Sequence, residues 1–213
     1  LFRSLEISAG SIYHDPGNHF KAYTQKLAYY PEDIWLYKMA CQWQALAEME
    51  AFPGRCAELN DVLGLHQITQ EIITWAGNLQ FLLARQYRPC HKWWGTALKQ
   101  LFPSEIYNLL LEMSDHSDYD LLEQKLGRLY QFMARQHNQL KATPVINAEL
   151  QAYYQRPFKV IFAQRFAQAL QQAIGLAQLR QLPLYGAIDQ ISAQSLLLTN
   201  PQHRQKVQDL WSI

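Results

Sequence analysis

Asp61-Val62-Leu63-Gly64-Leu65-His66-Gln67-Ile68-Thr69-Gln70-Glu71-Ile72-Ile73-Thr74-Trp75-Ala76-Gly77-Asn78-Leu79-Gln80-Phe81-Leu82-Leu83 decides the fold class. It carries Leu65, Ile68, Ile72, Trp75, Leu79 and Leu82–Leu83 at the three-to-four spacing of one helix face. Asn60 or Asp61 supplies the N-cap, whose side-chain oxygen accepts from an otherwise unbonded first-turn amide. Pro89 ends or kinks the helix, because it has no N–H and crowds the preceding turn.

The same grammar extends outward in both directions. Pro31 sits where a helix begins without needing its N–H. Glu32 and Asp33 follow in the first turn, where the helix dipole favours acids. Ile34, Tyr37, Cys41, Ala45 and Met49 then carry the period to Phe52-Pro53-Gly54, which stops it. A helix over 18–29 precedes this one. Downstream the spacing predicts helices over 91–101, 104–113 and 119–141, a long helix over 157–182, an irregular stretch over 183–199, and a terminal helix begun by Asn200-Pro201 and ending near Trp211. Gly10-Ser11-Ile12-Tyr13-His14 is β-compatible, and Asp15-Pro16-Gly17-Asn18 is a turn. β structure is therefore expected only before Asn18. The reading is an all-α fold, an irregular helical bundle or array of about eight or nine helices with a short N-terminal β-like hook. Residues 1–213 form one helical domain, with a candidate seam near 115–118.

Composition narrows the function classes. The chain has 213 residues, 49% of them hydrophobic and 17% charged, with a net charge of +1. A nucleic-acid binder carries a basic stripe, and none is present, so nucleic acid is not the expected partner. The apolar runs Leu109–Leu111 and Leu196–Leu198 are far too short to span a bilayer. Cys41, Cys56 and Cys90 form no C-x-x-C, which fits a reducing cytoplasm. Leu1 in place of methionine reads as either a removed tag or a start inside a longer protein.

Few chemical motifs survive a search. Neither G-x-G-x-x-G nor G-x-x-x-x-G-K-[ST] occurs, so both common phosphate cradles are missing. H-E-x-x-H is absent, as is the spacing of a zinc finger. Asp115, His116, Asp118 and Asp120 resemble a cation loop but lack the glycine and distal glutamate of an EF-hand; an acidic helix start explains them more simply. No metal site is expected. No G-x-S-x-G nucleophile turn is present. Arg85 and His91 stand six positions apart, like the catalytic pair of HEPN-type ribonucleases, in which imidazole takes the 2′-hydroxyl proton and guanidinium holds phosphate. Pro89 interrupts that spacing. Arg88, Lys92, Trp93 and Trp94 read either as a kinked helix junction sealed by buried tryptophans, with Lys92 reaching solvent, or as a cationic and aromatic ligand platform. Packing is expected to come first. Arg55, after the proline-glycine turn, is either solvated or faces a pocket.

Four stretches together resemble the C-terminal part of bacterial proteins that join a nucleotidyltransferase-like domain to a helical domain of unknown function 4037. They are Gly10-Ser11-Ile12-Tyr13-His14-Asp15 with Tyr29-Tyr30-Pro31-Glu32-Asp33; Arg55; Leu82-Leu83-Ala84-Arg85-Gln86-Tyr87-Arg88-Pro89-Cys90-His91-Lys92-Trp93; and Ile188-Asp189-Gln190 with Leu197-Leu198 and Asn200-Pro201. The third is the most specific, because proline and lysine-tryptophan hold fixed places after tyrosine. The resemblance implies a transferase domain upstream of Leu1, marked by Gly-Ser and a D-x-D pair that holds magnesium and bridges the nucleoside triphosphate. Gly10-Ser11 has no D-x-D nearby, and Asp118 and Asp120 sit in a helix-capping loop. The chain alone is thus expected to have no catalytic residues, to hold no cofactor and to transfer no nucleotide. What it implies here is recognition of an unknown small-molecule acceptor, with Asp15, Arg55, Tyr87, Arg88, Lys92 and Trp93 lining the pocket. The partner would be the transferase domain. The alternative is an interaction domain that docks a partner or a second copy through exposed aromatics.

Overall fold

The computed structural model describes residues 2–115, 118–191, 200–202, 205 and 209. In chain order its elements are α1 (Phe2–Ala9), α2 (His19–Lys26), α3 (Glu32–Met49), α4 (Phe52–Glu58), α5 (Val62–Leu83), α6 (His91–Leu101), α7 (Ser104–Met113), α8 (Tyr119–Gln139), β1 (Gln151–Ala152), β2 (Lys159–Val160), α9 (Gln164–Ala173), α10 (Ala177–Arg180) and α11 (Ile188–Ile191). The all-α reading holds. The terminal-helix expectation around Trp211 and the Leu196–Leu198 run fall outside the described residues, as do His116 and Ser117.

Helix α3 is the axis of the molecule. From Trp35 to Trp43 every residue is buried, so this helix has no solvated face over two turns, as expected of an element surrounded by others. It packs chiefly on α9 and α5. Trp43 stacks on Phe166 at 4.5 Å, and the His137 ring from α8 meets both edge-on. Helix α5 keeps its predicted course: Asp61 accepts from the Gly64 amide as N-cap, and Leu65, Ile72 and Leu79 are buried. Its end is set before Pro89. Gln86 N–H bonds to Phe81 O, Arg85 N–H bonds to Leu82 O, and Arg85 takes φ 51°. This is a Schellman closure with arginine where glycine is usual.

Three expectations are corrected. The segment over 10–18 is a non-helical hook without a strand, and α1 precedes it. The strand pair found among the described residues is instead β1–β2, antiparallel, with Gln151 opposite Val160. The long helix over 157–182 is broken twice, each time by a carboxylate from α3 or its end. Glu50 accepts from the amides of Ile161 and Ala163 at 3.1 and 3.0 Å, holding them out of a helix while Phe162 takes φ 54°. Asp33 accepts from Gly175 and Leu176 at 3.0 and 2.8 Å, which separates α9 from α10. Finally, Phe52-Pro53-Gly54 does more than stop α3. It opens α4, with proline in the first turn, and Gly54 lies where a Cβ would collide with the Phe158 ring. No helix among the described residues is long and apolar enough to cross a membrane.

Candidate functional site

The polar centre of the molecule lies where α3, the end of α5, the following loop and α11 meet. Lys38 sits inside the apolar run of α3 and is 3% exposed. A charge there needs a partner, and Asp189 of α11 supplies one: Lys38 Nζ lies 2.8 Å from both carboxylate oxygens. The next residue completes the clasp. Gln190 donates to Lys38 O and Gln42 Oε1 and accepts from the Ala187 amide. Gln42 in turn donates to Trp75 O. The ring of Tyr30 lies over the Lys38 ammonium at 5.1 Å.

Arg88 forms the open side. With Tyr30, Lys38, Asn78, Gln86 and Asp189 it lines a recess. The enclosed space is about 30 Å³, enough for one or two waters or the end group of a larger molecule. Burial pulls the Arg88 guanidinium below its ordinary range, and the Asp189 carboxylate acts against that. Among the described residues Arg88 has no carboxylate within ion-pair distance; its guanidinium lies 3.2 Å from His91 Nε2. Burial and the Asp189 charge both push the Tyr30 phenol far up, so its hydroxyl stays protonated and available as a donor.

The sequence-derived candidates distribute unevenly around this centre. Arg88 lines it. Tyr87 is buried beneath it, donates to Leu27 O at 3.0 Å and packs on Tyr29 and Tyr30, so it positions Tyr30. Lys92 is exposed, with its ammonium 5.8 Å from the Trp93 ring. Trp93, expected to be a packing residue, is 58% exposed. Trp94 takes that role: its Nε1 donates to Asn78 Oδ1, and its ring fills the space beside Gly77 where a Cβ would collide. Asp15 caps α2 by accepting from the Lys21 amide. Arg55 is exposed and lines a separate recess with Tyr153, Tyr154, Gln155 and Arg156. Arg85 pairs with Glu32 at 2.8 Å and lies 3.7 Å over Trp35, while His91 faces Arg88. Asp118 accepts from the Leu121 amide as N-cap of α8. Among the described residues no group of three or more His, Cys, Asp or Glu is placed to hold a metal.

Residues 3–94 match a family described as a domain of unknown function (DUF4037). The DUF4037 match covers less than half of the chain, yet it includes Tyr30, Lys38, Gln42 and Arg88, whereas Asp189 and Gln190 lie beyond it. No curated protein and no solved structure matches the chain. Sequence reasoning missed Lys38 and Gln42. The signal was present: a lysine and a glutamine within Trp35-Leu36-Tyr37-Lys38-Met39-Ala40-Cys41-Gln42-Trp43 leave no polar face for either, so both demand buried partners.

Proposed function

We propose that this chain is the acceptor-recognising helical region of a nucleotidyltransferase-like protein, and that the Arg88 recess receives the anionic end of a small polar acceptor. The observation that carries the reading is Arg88, a half-buried cation without a carboxylate partner among the described residues, beside a phenol donor and a clasped Lys38–Asp189 pair. An unpaired cation is costly to desolvate, and an incoming carboxylate or phosphoryl group would offset that cost through charge-assisted hydrogen bonds. In this reading magnesium and the nucleoside triphosphate are held by a separate domain bearing Gly-Ser and D-x-D, because Asp118 and Asp120 serve the start of α8. Free Cys41, Cys56 and Cys90 fit work in the reducing cytoplasm.

The test is a thermal-shift screen of the chain against sugar phosphates, hydroxy acids and amino acids. At least one anionic compound should raise the melting temperature, and Arg88→Gln should abolish that rise without lowering the unliganded melting temperature by more than a degree or two. A screen without any shift, or shifts that survive Arg88→Gln, would sink the assignment. A reading as a docking or dimerisation domain draws on α2, which buries none of its residues and exposes Phe20 and Tyr23. Sedimentation across a concentration series separates it from acceptor recognition.

A further inference from the structure

Arg55 does not join the Arg88 recess, and its own surroundings carry a distinct inference that does not rest on the acceptor reading. The hairpin between β1 and β2 turns back over α4 and places Tyr153, Tyr154, Gln155 and Arg156 beside Arg55. The concavity between them has a volume of about 530 Å³, within the range of small-molecule clefts. Its two cations differ in their state. Arg156 is held by Glu58 at 2.6 Å, which fixes the guanidinium at the rim. Arg55 is exposed and has no carboxylate within ion-pair distance among the described residues.

The aromatic side of the recess is built at a conformational cost. Tyr154 takes φ 53°, the left-handed region that a tyrosine enters only at the expense of backbone strain. That strain does not serve burial, since Tyr154 remains 78% exposed. It is braced from beneath instead: Tyr153 meets it at 73° and Phe162 at 88°, both as edge contacts. Phe162 itself has φ 54°. Tyr153 and the left-handed Phe162 thus prop the exposed, left-handed Tyr154 ring at the lip of a cleft whose Arg55 has no carboxylate partner among the described residues. Tyrosine faces stack on planar heterocycles whatever their identity, and guanidinium groups bind phosphate oxygens in a matching fork.

We propose that the Arg55–Tyr154–Arg156 recess binds a phosphate ester carried on a planar ring, a ligand of the nucleotide class. Tyr154 stacks on the ring, Arg55 takes the phosphate, and Arg156 closes the rim. Equilibrium dialysis of the whole chain against labelled AMP, adenosine and ribose 5-phosphate tests it. AMP should bind, and in the Arg88→Gln chain, which lacks the cation of the other recess, each half-ligand should bind about tenfold or more weakly than AMP, because stacking and charge recognition are both required. Arg55→Ala and Tyr154→Asn should each weaken AMP by about tenfold, whereas Arg88→Gln should not. Asparagine tolerates the left-handed backbone, so Tyr154→Asn should keep the wild-type melting temperature, and Arg55→Ala alters an exposed side chain. Failure of AMP to bind at millimolar concentration would overturn the proposal. So would binding unchanged in both variants, binding lost only in Arg88→Gln, or ribose 5-phosphate binding to the Arg88→Gln chain as tightly as AMP does.

Discussion

At the residue scale, two buried titratable groups work against each other. Burial pushes the Glu50 carboxyl up to about 7, although the amides of Ala163 and Ile161 favour its anion. Burial pulls His137 down to about 4. The residue is 1% exposed, and among the described residues its Nδ1 has no hydrogen-bond partner while Nε2 lies 2.9 Å from Thr143 Oγ1. A raised folded pKa at Glu50 gives stability that is complete below its ordinary value near 4.5 and is lost as pH rises through about 7. A lowered folded pKa at His137 gives stability that is complete above 6.5 and is lost as pH falls through about 4. Each contributes a slope of at most about 1.4 kcal/mol per pH unit, with opposite sign. Urea denaturation between pH 7 and 4.5 should therefore show Glu50→Gln losing stability on acidification faster than wild type. His137→Phe should lose it more slowly. Parallel slopes in all three proteins would mean that neither group titrates in this window.

At the element scale, the junction of α5 and α6 assigns different work to two adjacent tryptophans. Trp94 lies against Gly77 and donates to Asn78, joining the helices. Trp93, one helical step of about 100° away, faces outward. Trp94→Ala removes ring packing and leaves the Asn78 oxygen without its donor, for a cost of about 2–4 kcal/mol. Trp93→Ala should change stability by only about 0.5 kcal/mol. Thermal melts of the two variants decide it, and a larger loss at Trp93 would reverse the assignment. Three acidic residues of other elements act in the same connecting way. Asp33, Glu50 and Asp189 each bind a segment distant in sequence, so short pieces such as α10 and α11 are held by side-chain clasps as much as by apolar faces.

At the scale of the whole molecule, α11 is fastened to the central helix by the Lys38–Asp189 pair and by Gln190. The two charges are unequally buried, with side chains 4% and 17% exposed, and their variants should reflect that. Asp189→Asn strands an ammonium in the interior and should cost about 3–5 kcal/mol. Lys38→Met removes the buried charge itself, fills the space with an apolar chain, and leaves a carboxylate that has Arg88 nearby. Its cost should be clearly smaller. Chemical denaturation of both variants gives the comparison, and equal losses would show that the charge pair is not what holds α11.

Much of this was legible in the residues themselves. Helix α6 starts at His91 and α7 at Ser104, as their flanking prolines indicate, because local punctuation by proline and by side-chain caps acts within one turn. The apolar period of α5 and the Asp61 cap are likewise local facts. The period of α3 predicted one buried face, and the helix is buried on all sides over 35–43, because α5, α9 and α10 all pack on it; a period cannot register how many neighbours an element will have. The break in the expected helix over 157–182 was not legible either. It depends on Glu50 and Asp33, which lie more than 100 positions earlier and take the amides that the helix would have used. The candidate site divides in the same way. Arg88 was marked by its own segment, but Lys38, Gln42 and Asp189 became a site only when α11 folded back onto α3. Local chemistry wrote the helices and their ends; long-range pairing of buried charges and amides decided which of them meet.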